Sequence, residues 1–433
     1  MSFTPVDLIR VSAWGRVVGF IARDPSTNYY AFEYDDEWIR NGTDLSPFHL
    51  PRQRGVFVFP QLSRETYYGL PAMVADALPD RFGNALVTAW LADQGVAAAD
   101  ITALDRLAYA SARTMGALTF APPTGPLPGD VTMVDVAELV VAARAAIHGD
   151  FSSRGVHDAL HQLINVGSTA GGARAKAVVA YNPETREMRS GQLDAPEGFE
   201  QWLIKLDGVG DPTSQRPDAS VPSPQYCRVE YAYHLMALRA GLVMSPSFLL
   251  PEGPRSHFVT KRFDRGPDNL RLHLQSLCAL DHLDFNLART HSYSSFFLVA
   301  DRLGLDATDR GQIFRRIVFN VMGVNRDDHT KNVSFLLPEN GEWQLAPAYD
   351  LTHANWGSDW TAQHQMSVNG RFSDITRDDL RALGDRHDVP GIENALREVA
   401  AAIESWPEVS TESGVDHLTT EKIANDLAIF RPQ

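Results

Sequence analysis

The chain has 433 residues, of which 44% are hydrophobic and 21% charged, and it carries a formal net charge of −15. That length suffices for two or three domains with a substantial core, and the charge argues against a large direct nucleic-acid footprint. Two cysteines, Cys227 and Cys278, exclude a disulfide framework or a cysteine-rich metal site and point to a reducing cytosol. No apolar run approaches the ~20 residues that span a bilayer, and Met1-Ser-Phe-Thr-Pro-Val-Asp7 lacks the basic-then-apolar pattern of an export signal.

The first part of the chain alternates polar and apolar residues in short runs, Val17–Ala22, Tyr29–Tyr34 and Val56–Phe59. Turn formers separate them at Asp24–Asn28 and Asn41–Thr43, which predicts a small antiparallel sheet. Helical periodicity follows around Met73–Leu78, Gly83–Gln94 and Ile101–Ala110. The run Pro122-Pro-Thr-Gly-Pro-Leu-Pro-Gly129 marks a domain boundary. Beyond it, Val134–Ala146 reads as a helix and Gln162–Val166, Ala175–Tyr181 and Trp202–Leu206 as strands. Asp207–Gln225, rich in Gly, Pro, Ser and Asp, reads as a loop. Val229–Ala240 is a predicted helix, Phe248–Leu250 and His257–Lys261 are predicted strands, and the chain from there to Gly304 looks mainly helical. Three further helices are expected at Asp378–Ala382, Ile392–Ile403 and Leu418–Phe430.

The densest chemistry lies at Asn325-Arg-Asp-Asp-His-Thr-Lys-Asn332. The apolar run Ile317–Gly323 precedes it, and its glycine is placed to end a buried helix. A strand Val333–Leu337, a turn Pro338–Gly341 and a strand Trp343–Leu345 lead on to Ala346-Pro-Ala-Tyr-Asp350. Phosphoryl transfer needs this inventory, an Asp to orient a hydroxyl and an Asn with a second Asp to hold magnesium. Protein kinases set the catalytic Asp five residues before the metal-binding Asn, with the second Asp beyond a hairpin; Asp327, Asn332 and Asp350 have that arrangement. The competing reading is a solvated polar turn.

Other parts follow in kinase order. Gly167-Ser-Thr-Ala-Gly-Gly-Ala173, containing Ser168, Thr169, Gly171 and Gly172, suits backbone approach to phosphates, or is a plain turn. Lys205 sits inside an apolar strand and Glu230 begins the next helix, the pairing a kinase uses on nucleotide phosphates; the alternatives are a snorkelling lysine and an acid favoured by the helix dipole. Phe258–Arg265 is either a lobe-linking segment offering Phe263 to an adenine or an edge strand with solvated ends. His329 and Lys331 are placed to meet a phosphate, or are structural and exposed, respectively.

With these residues in hand, the chain resembles the HipA family of serine/threonine kinases, toxins of HipBA toxin–antitoxin modules. The motifs that carry the resemblance are Gly167–Lys176, Leu203–Lys205, Phe258–Arg265, Asn325–Asn332 and Ala346–Asp350, together with Leu70–Gly83 and Met115–Pro122. The resemblance implies an α+β, two-lobed kinase-like fold with a mainly helical C-lobe and a β-rich N-terminal subdomain. The expected boundaries are an N-terminal subdomain over 1–125, an N-lobe over 126–265 and a C-lobe over 266–433. It further implies that Asp327 is the catalytic base, with His329 near the phosphates and Lys331 beside the transferred group. Lys205, Gly171 and Gly172 would bind ATP phosphates, Phe263 and Lys261 would lie at the adenine end, and Asn332 and Asp350 would hold Mg²⁺. Thr169, with Ser168 beside it, aligns with the family's autophosphorylated loop hydroxyl. The implied partners are a small HipB-like DNA-binding antitoxin and an aminoacyl-tRNA synthetase substrate, the glutamyl enzyme first. A small-molecule kinase and a nucleotide-binding pseudokinase serving as co-repressor are the competing functions.

Overall fold

The computed structural model describes residues 5–79, 81–125, 135–148, 174–191, 194–209, 225–355 and 357–428. The chain divides into two compact units. One comprises Met1–Ser223, Leu250–Leu274 and Pro338–Asn340, the other Pro224–Leu249, Gln275–Leu337 and Gly341–Gln433.

The first unit begins with strands β1 (Leu8–Ala13), β2 (Arg16–Arg23) and β3 (Tyr30–Tyr34), then β4 (Val56–Phe57) and β5 (Leu118–Ala121). They form an antiparallel sheet in the order β4-β3-β2-β1-β5. Period-two patterning sends Ile9, Val11 and Ala13 inward against helices drawn from α1 (Asp36–Asn41), α2 (Arg64–Tyr67), α3 (Ala72–Ala75), α4 (Arg81–Asp93) and α5 (Ala103–Ala110). Thr102 and Asp105 close a capping box that starts α5. The expected sheet and helices are present; β1 and β5 add two strands to it.

After α6 (Val136–His148), a second antiparallel sheet is built from β6 (Lys176–Tyr181), β7 (Met188–Ser190), β8 (Glu200–Lys205), β9 (Ser247–Glu252) and β10 (Arg255–Lys261), in the order β7-β6-β8-β10-β9. β10 is therefore an interior strand. Its charged continuation is not solvated either: Asp264 is fully buried, accepts from Arg262 (2.8 Å), Arg265 (2.6 Å) and the Gly116 amide (2.7 Å), and is held well below the usual carboxylate range once the two guanidinium groups outweigh burial.

The second unit is mainly helical, with α7 (Tyr226–Arg239), α8 (Leu277–Leu280), α9 (Tyr293–Arg302), α10 (Ala307–Met322), α11 (Arg377–Arg386), α12 (Ile392–Glu404), α13 (Trp406–Glu412) and α14 (His417–Leu427). The long helix α10 packs on α12, while α7 packs on α12 and α13 around Tyr233, whose ring meets Phe319 and Trp406 edge-on. The stretch from Arg262 to Gly304 is less helical than expected. It holds only α8 and α9, and otherwise runs through turns, β11 (His273–Ser276) and β12 (His291–Ser292). His273, Gln275 and Ser276 are buried there; His273 bonds the distant Leu45 carbonyl (3.1 Å) and Ser276 caps the N-terminus of α8. A hairpin of β13 (Ser334–Leu337) and β14 (Gln344–Leu345) follows α10, and β15 (Met366–Ser367) pairs in parallel with β12. Among the described residues no helix is long and apolar enough to cross a membrane.

Candidate active site

The loop Asn325–Asn332 leaves the C-terminus of α10 through a backbone that the sequence does not announce. Gly323 keeps an ordinary φ of −83°, whereas Val324 takes φ +52°, an uncommon left-handed setting for a β-branched residue. The glycine is needed for room instead, because a Cβ there would lie 2.6 Å from the Phe319 carbonyl oxygen. Tyr233 on α7 donates its hydroxyl to the Gly323 carbonyl (2.6 Å), satisfying one of the open carbonyls at the helix end. Asn325 then bonds back to Asn320 through both backbone (2.9 Å) and side chain (2.9 Å).

Two adjacent aspartates in the loop face opposite surroundings. Asp327 keeps 44% of its side chain exposed, while the side chain of Asp328 is fully buried. Asp328 accepts from the Gln365 amide (2.7 Å), pairs with His364 Nδ1 (2.8 Å) and takes a short hydrogen bond from the Tyr293 hydroxyl. Burial first, and then the Asp328 charge, push the Tyr293 phenol well above its ordinary pKa, so it stays protonated and donating. Asn320 donates to the same phenol oxygen (3.0 Å), which links α9, α10 and the loop.

Asn332 donates its side-chain amide to the Asp327 carbonyl (2.9 Å), the short-range bond that its five-residue spacing allows. Its carboxamide oxygen accepts no hydrogen bond among the described residues and is left for another partner. Beyond the hairpin, the Tyr349 hydroxyl donates to the Lys331 carbonyl (2.9 Å) and meets Ser334 Oγ (2.6 Å), fastening the residue before Asp350 to the loop. Asp350 itself takes φ +53°, a left-handed conformation that Asp tolerates better than most residues. Among the described residues no cluster of three or more His, Cys, Asp or Glu forms a metal cage. The donors of Asn332 and Asp350 are hard oxygens, and one or two such ligands completed by phosphate and water is how Mg²⁺ is commonly bound. The residues present fit that ion.

Beside Asp327, His329 is flanked by two aromatic residues, Phe285 and Trp360, that the sequence motifs did not single out. Phe285, His329 and Trp360 have ring centroids 5.2 Å and 6.2 Å apart in succession, and the Lys331 ammonium lies 5.4 Å from the Phe285 centroid. The Trp360 indole N–H donates to Asp327 Oδ1 at 2.7 Å, and His329 Nε2 lies 3.8 Å from the same oxygen.

In the first unit, Lys205 ends β8 and is 8% exposed. Register places it opposite Phe258 on one side, with its ammonium 5.8 Å from that ring, and opposite Lys176 on the other. Lys176 is 1% exposed, so two buried lysines share one face of the sheet. Lys176 ends the glycine-rich motif in the sequence, and the strand register sets it beside Lys205. Lys261 is salt-bridged to Glu200 (2.6 Å), and Phe263 is half-buried just after β10. Glu230 lies buried on α7 in the second unit. Ser168, Thr169, Gly171 and Gly172 lie outside the described residues.

The profile of the HipA N-terminal domain matches residues 9–121, and that of the HipA-like C-terminal domain matches residues 168–407. The chain belongs to the HipA family. HipA of Shewanella oneidensis, solved in a complex with HipB and operator DNA, matches this HipA-family chain with a TM-score of 0.66 and 16% identity, covering 97% of this chain and 95% of that one. At that identity the likeness establishes the α+β fold. Y4dM, a candidate kinase of Sinorhizobium fredii, is 27% identical over 203 residues, 42% of this chain and 45% of that protein. A candidate kinase of Haemophilus influenzae is 30% identical over 103 residues, 22% of this chain and 30% of that protein. The chain spans less than half the length of these curated relatives.

Proposed function

We propose that this HipA-family chain is an ATP- and Mg²⁺-dependent protein serine/threonine kinase acting as the toxin of a toxin–antitoxin pair in the cytoplasm. The observation that carries the reading is the Asn332-to-Asp327 bond at 2.9 Å beneath an outward-facing carboxylate, followed by an aspartate at φ +53° beyond a hairpin. A solvated turn has no need of these constraints, whereas phosphoryl transfer needs an oriented carboxylate and oxygen ligands on separate elements.

Asp327 accepts the proton of the acceptor hydroxyl as its oxygen bonds to the γ-phosphorus and the bond to the leaving diphosphate breaks. Lys205 and Lys176, cross-strand neighbours on one face of the sheet, hold phosphate oxygens as charge-assisted donors. Asn332 and Asp350 would hold the metal, and His329 and Lys331 are assigned to contact the transferred group. Magnesium held there would supply charge neutralisation for the transferred phosphoryl group. In the same reading Gly171 and Gly172 are assigned as phosphate-binding glycines, Phe263 and Lys261 as adenine-binding residues, and Glu230 as the structural acid. Thr169 or Ser168 is the self-modified hydroxyl that silences nucleotide binding. The protein substrate is an aminoacyl-tRNA synthetase, of glutamyl type, and the neutralising partner is a HipB-like antitoxin. The complex of the Shewanella relative with HipB and operator DNA supports such a partner, and a basic antitoxin would let a chain of charge −15 reach DNA indirectly.

The test is intact-mass and phosphosite mapping after phosphatase-treated protein is incubated with ATP and Mg²⁺, alongside Asp327→Asn. Phosphate on Thr169 or Ser168 in the unmutated chain alone is the expected result. Equal labelling of the mutant would remove Asp327 as the base, and nucleotide binding without any labelling would favour a nucleotide-binding co-repressor.

A further inference from the structure

The Trp360–Asp327 hydrogen bond stands apart from the arrangement on which the kinase reading was built. Thirty-three residues separate the two side chains, yet the indole nitrogen lies 2.7 Å from Asp327 Oδ1. An indole N–H is a donor only, so it can hold this oxygen solely as an acceptor.

The turn that carries Trp360 is fastened on both flanks. Arg326, the residue before Asp327, donates to the Ala362 carbonyl (3.0 Å) and to Asn355 Oδ1 (3.2 Å). The Gln365 carboxamide makes a short hydrogen bond to the Trp360 carbonyl and reaches the Arg326 carbonyl (3.4 Å). Arg289 donates to the Asp359 carbonyl (3.1 Å), and Ser358 Oγ accepts from the Thr361 amide (3.2 Å). Gln365 and His364 in turn bind the buried Asp328. The ring is thus set against the carboxylate by a fixed turn, from the same segment that anchors the neighbouring aspartate.

We infer that Trp360 is the positioning residue of the base: its indole N–H pins Asp327 Oδ1, so that the second carboxylate oxygen is presented to the acceptor hydroxyl, and its ring, with His329 and Phe285, forms an aromatic wall beside that hydroxyl. The inference rests on the kinase reading for its catalytic consequence, but not for its geometry. A carboxylate that is 44% exposed rotates freely unless one oxygen is held. Fixing it converts a search over carboxylate orientations into a single aligned approach, and losing such alignment costs about tenfold to a hundredfold in rate. The wall is aromatic, with Phe285 and Trp360 as its apolar faces, which favours an acceptor hydroxyl flanked by apolar or aromatic protein groups over a strongly hydrated small polyol.

Two substitutions separate the donor from the ring. Trp360→Phe keeps the wall and removes the N–H; Trp360→Gln keeps a donor of similar reach and removes the wall. With radiolabelled ATP and a serine-centred peptide library as acceptor, Trp360→Phe is expected to lower kcat about tenfold or more with acceptor KM little changed. Trp360→Gln is expected to recover most of kcat while raising KM. Equal loss in both variants, or unchanged kcat in Trp360→Phe, overturns the positioning role. A second measurement does not need turnover. The Trp360 indole ¹H–¹⁵N resonance, assigned by its disappearance in Trp360→Phe, is expected at the low-field position of an N–H bound to a carboxylate, and to move upfield in Asp327→Asn. An unshifted resonance overturns the geometry. Absence of transfer by the unmutated chain, with the shift present, rejects the kinase reading and leaves the Trp360–Asp327 pair established.

Discussion

At the residue scale, Asp327 and Asp328 show how neighbours of one type divide into separate tasks. Asp328 has three donors and no exposure, so its charge is compensated by Tyr293, His364 and the Gln365 amide. Truncating it would strand those donors in the interior, and removing one partner of such a buried group typically costs about 3–5 kcal/mol. Asp328→Ala is therefore expected to lower the urea midpoint of the second unit strongly, while Tyr293→Phe, which removes one donor to Asp328 and the acceptor of Asn320, costs less, about 1–3 kcal/mol. Equal midpoints for Asp328→Ala and the unmutated protein would mean that the network is not structural. The sequence put both aspartates in one polar loop and singled out Asp327 through its spacing to Asn332. It gave no sign of which acid would be buried, because the donors come from Tyr293 and from His364–Gln365, some 35 residues away on either side. Trp360 was illegible for the same reason. Lys176 was half legible: the motif contained it, but strand register was needed to set it opposite Lys205.

At the scale of elements, the junction of α10 with the loop separates two reasons for a glycine. Pattern reading expects glycine after a helix to supply the left-handed cap, yet Val324 takes that conformation and Gly323 does not. A methyl at position 323 would sit 2.6 Å from the Phe319 carbonyl oxygen and 3.4 Å from both Ile403 Cδ1 and Tyr233 Cε1. At an unstrained open position, Gly→Ala stabilises by about 0.4–1 kcal/mol. Here overpacking wins, and Gly323→Ala is expected to destabilise by about 1–3 kcal/mol, read as a lower urea midpoint with an unchanged slope. A gain in stability would show that the helix end shifts freely. Elsewhere the elements were read well where periodicity was long, as in α4 and α12, whereas only the last turns of α10, Ile317 to Met322, were legible. They were misread between Arg262 and Gly304, where apolar spacing resembled a helix but long-range pairing of β11 with β13 and of β12 with β15 holds two segments extended. β10 was equally ambiguous, since the buried cluster of Arg262, Asp264 and Arg265 looks in sequence like a solvated strand end.

At the scale of the whole molecule, each unit carries a buried histidine whose protonation opposes folding. His273 in the first unit is fully buried, and its Nε2 hydrogen-bonds to the Leu45 carbonyl at 3.1 Å. His234 in the second unit is 4% exposed, with its ring stacked on Tyr231. Burial pushes both down from 6.5 to about 4. The unfolded chain therefore binds more protons than the folded one throughout that interval, so their contribution is complete above pH 6.5 and declines as the pH falls towards 4. By pH 5 the loss is on the order of 2 kcal/mol for each histidine. A competing effect has the opposite sign, because a chain with a net charge of −15 loses self-repulsion as it approaches its pI of about 5.4. That term is long-range and screened within about 10 Å at 0.1 M salt, whereas the buried rings feel little screening. At high ionic strength the histidines should dominate, and urea unfolding is expected to show both units weakening between pH 7 and 5. His273→Gln keeps a donor for Leu45 without a titrating ring, and should make the decline of the first unit alone shallower, burial of His257 supplying the remainder. A flat profile in the unmutated protein, or one flattened in both units by the single change, would place the acid sensitivity elsewhere.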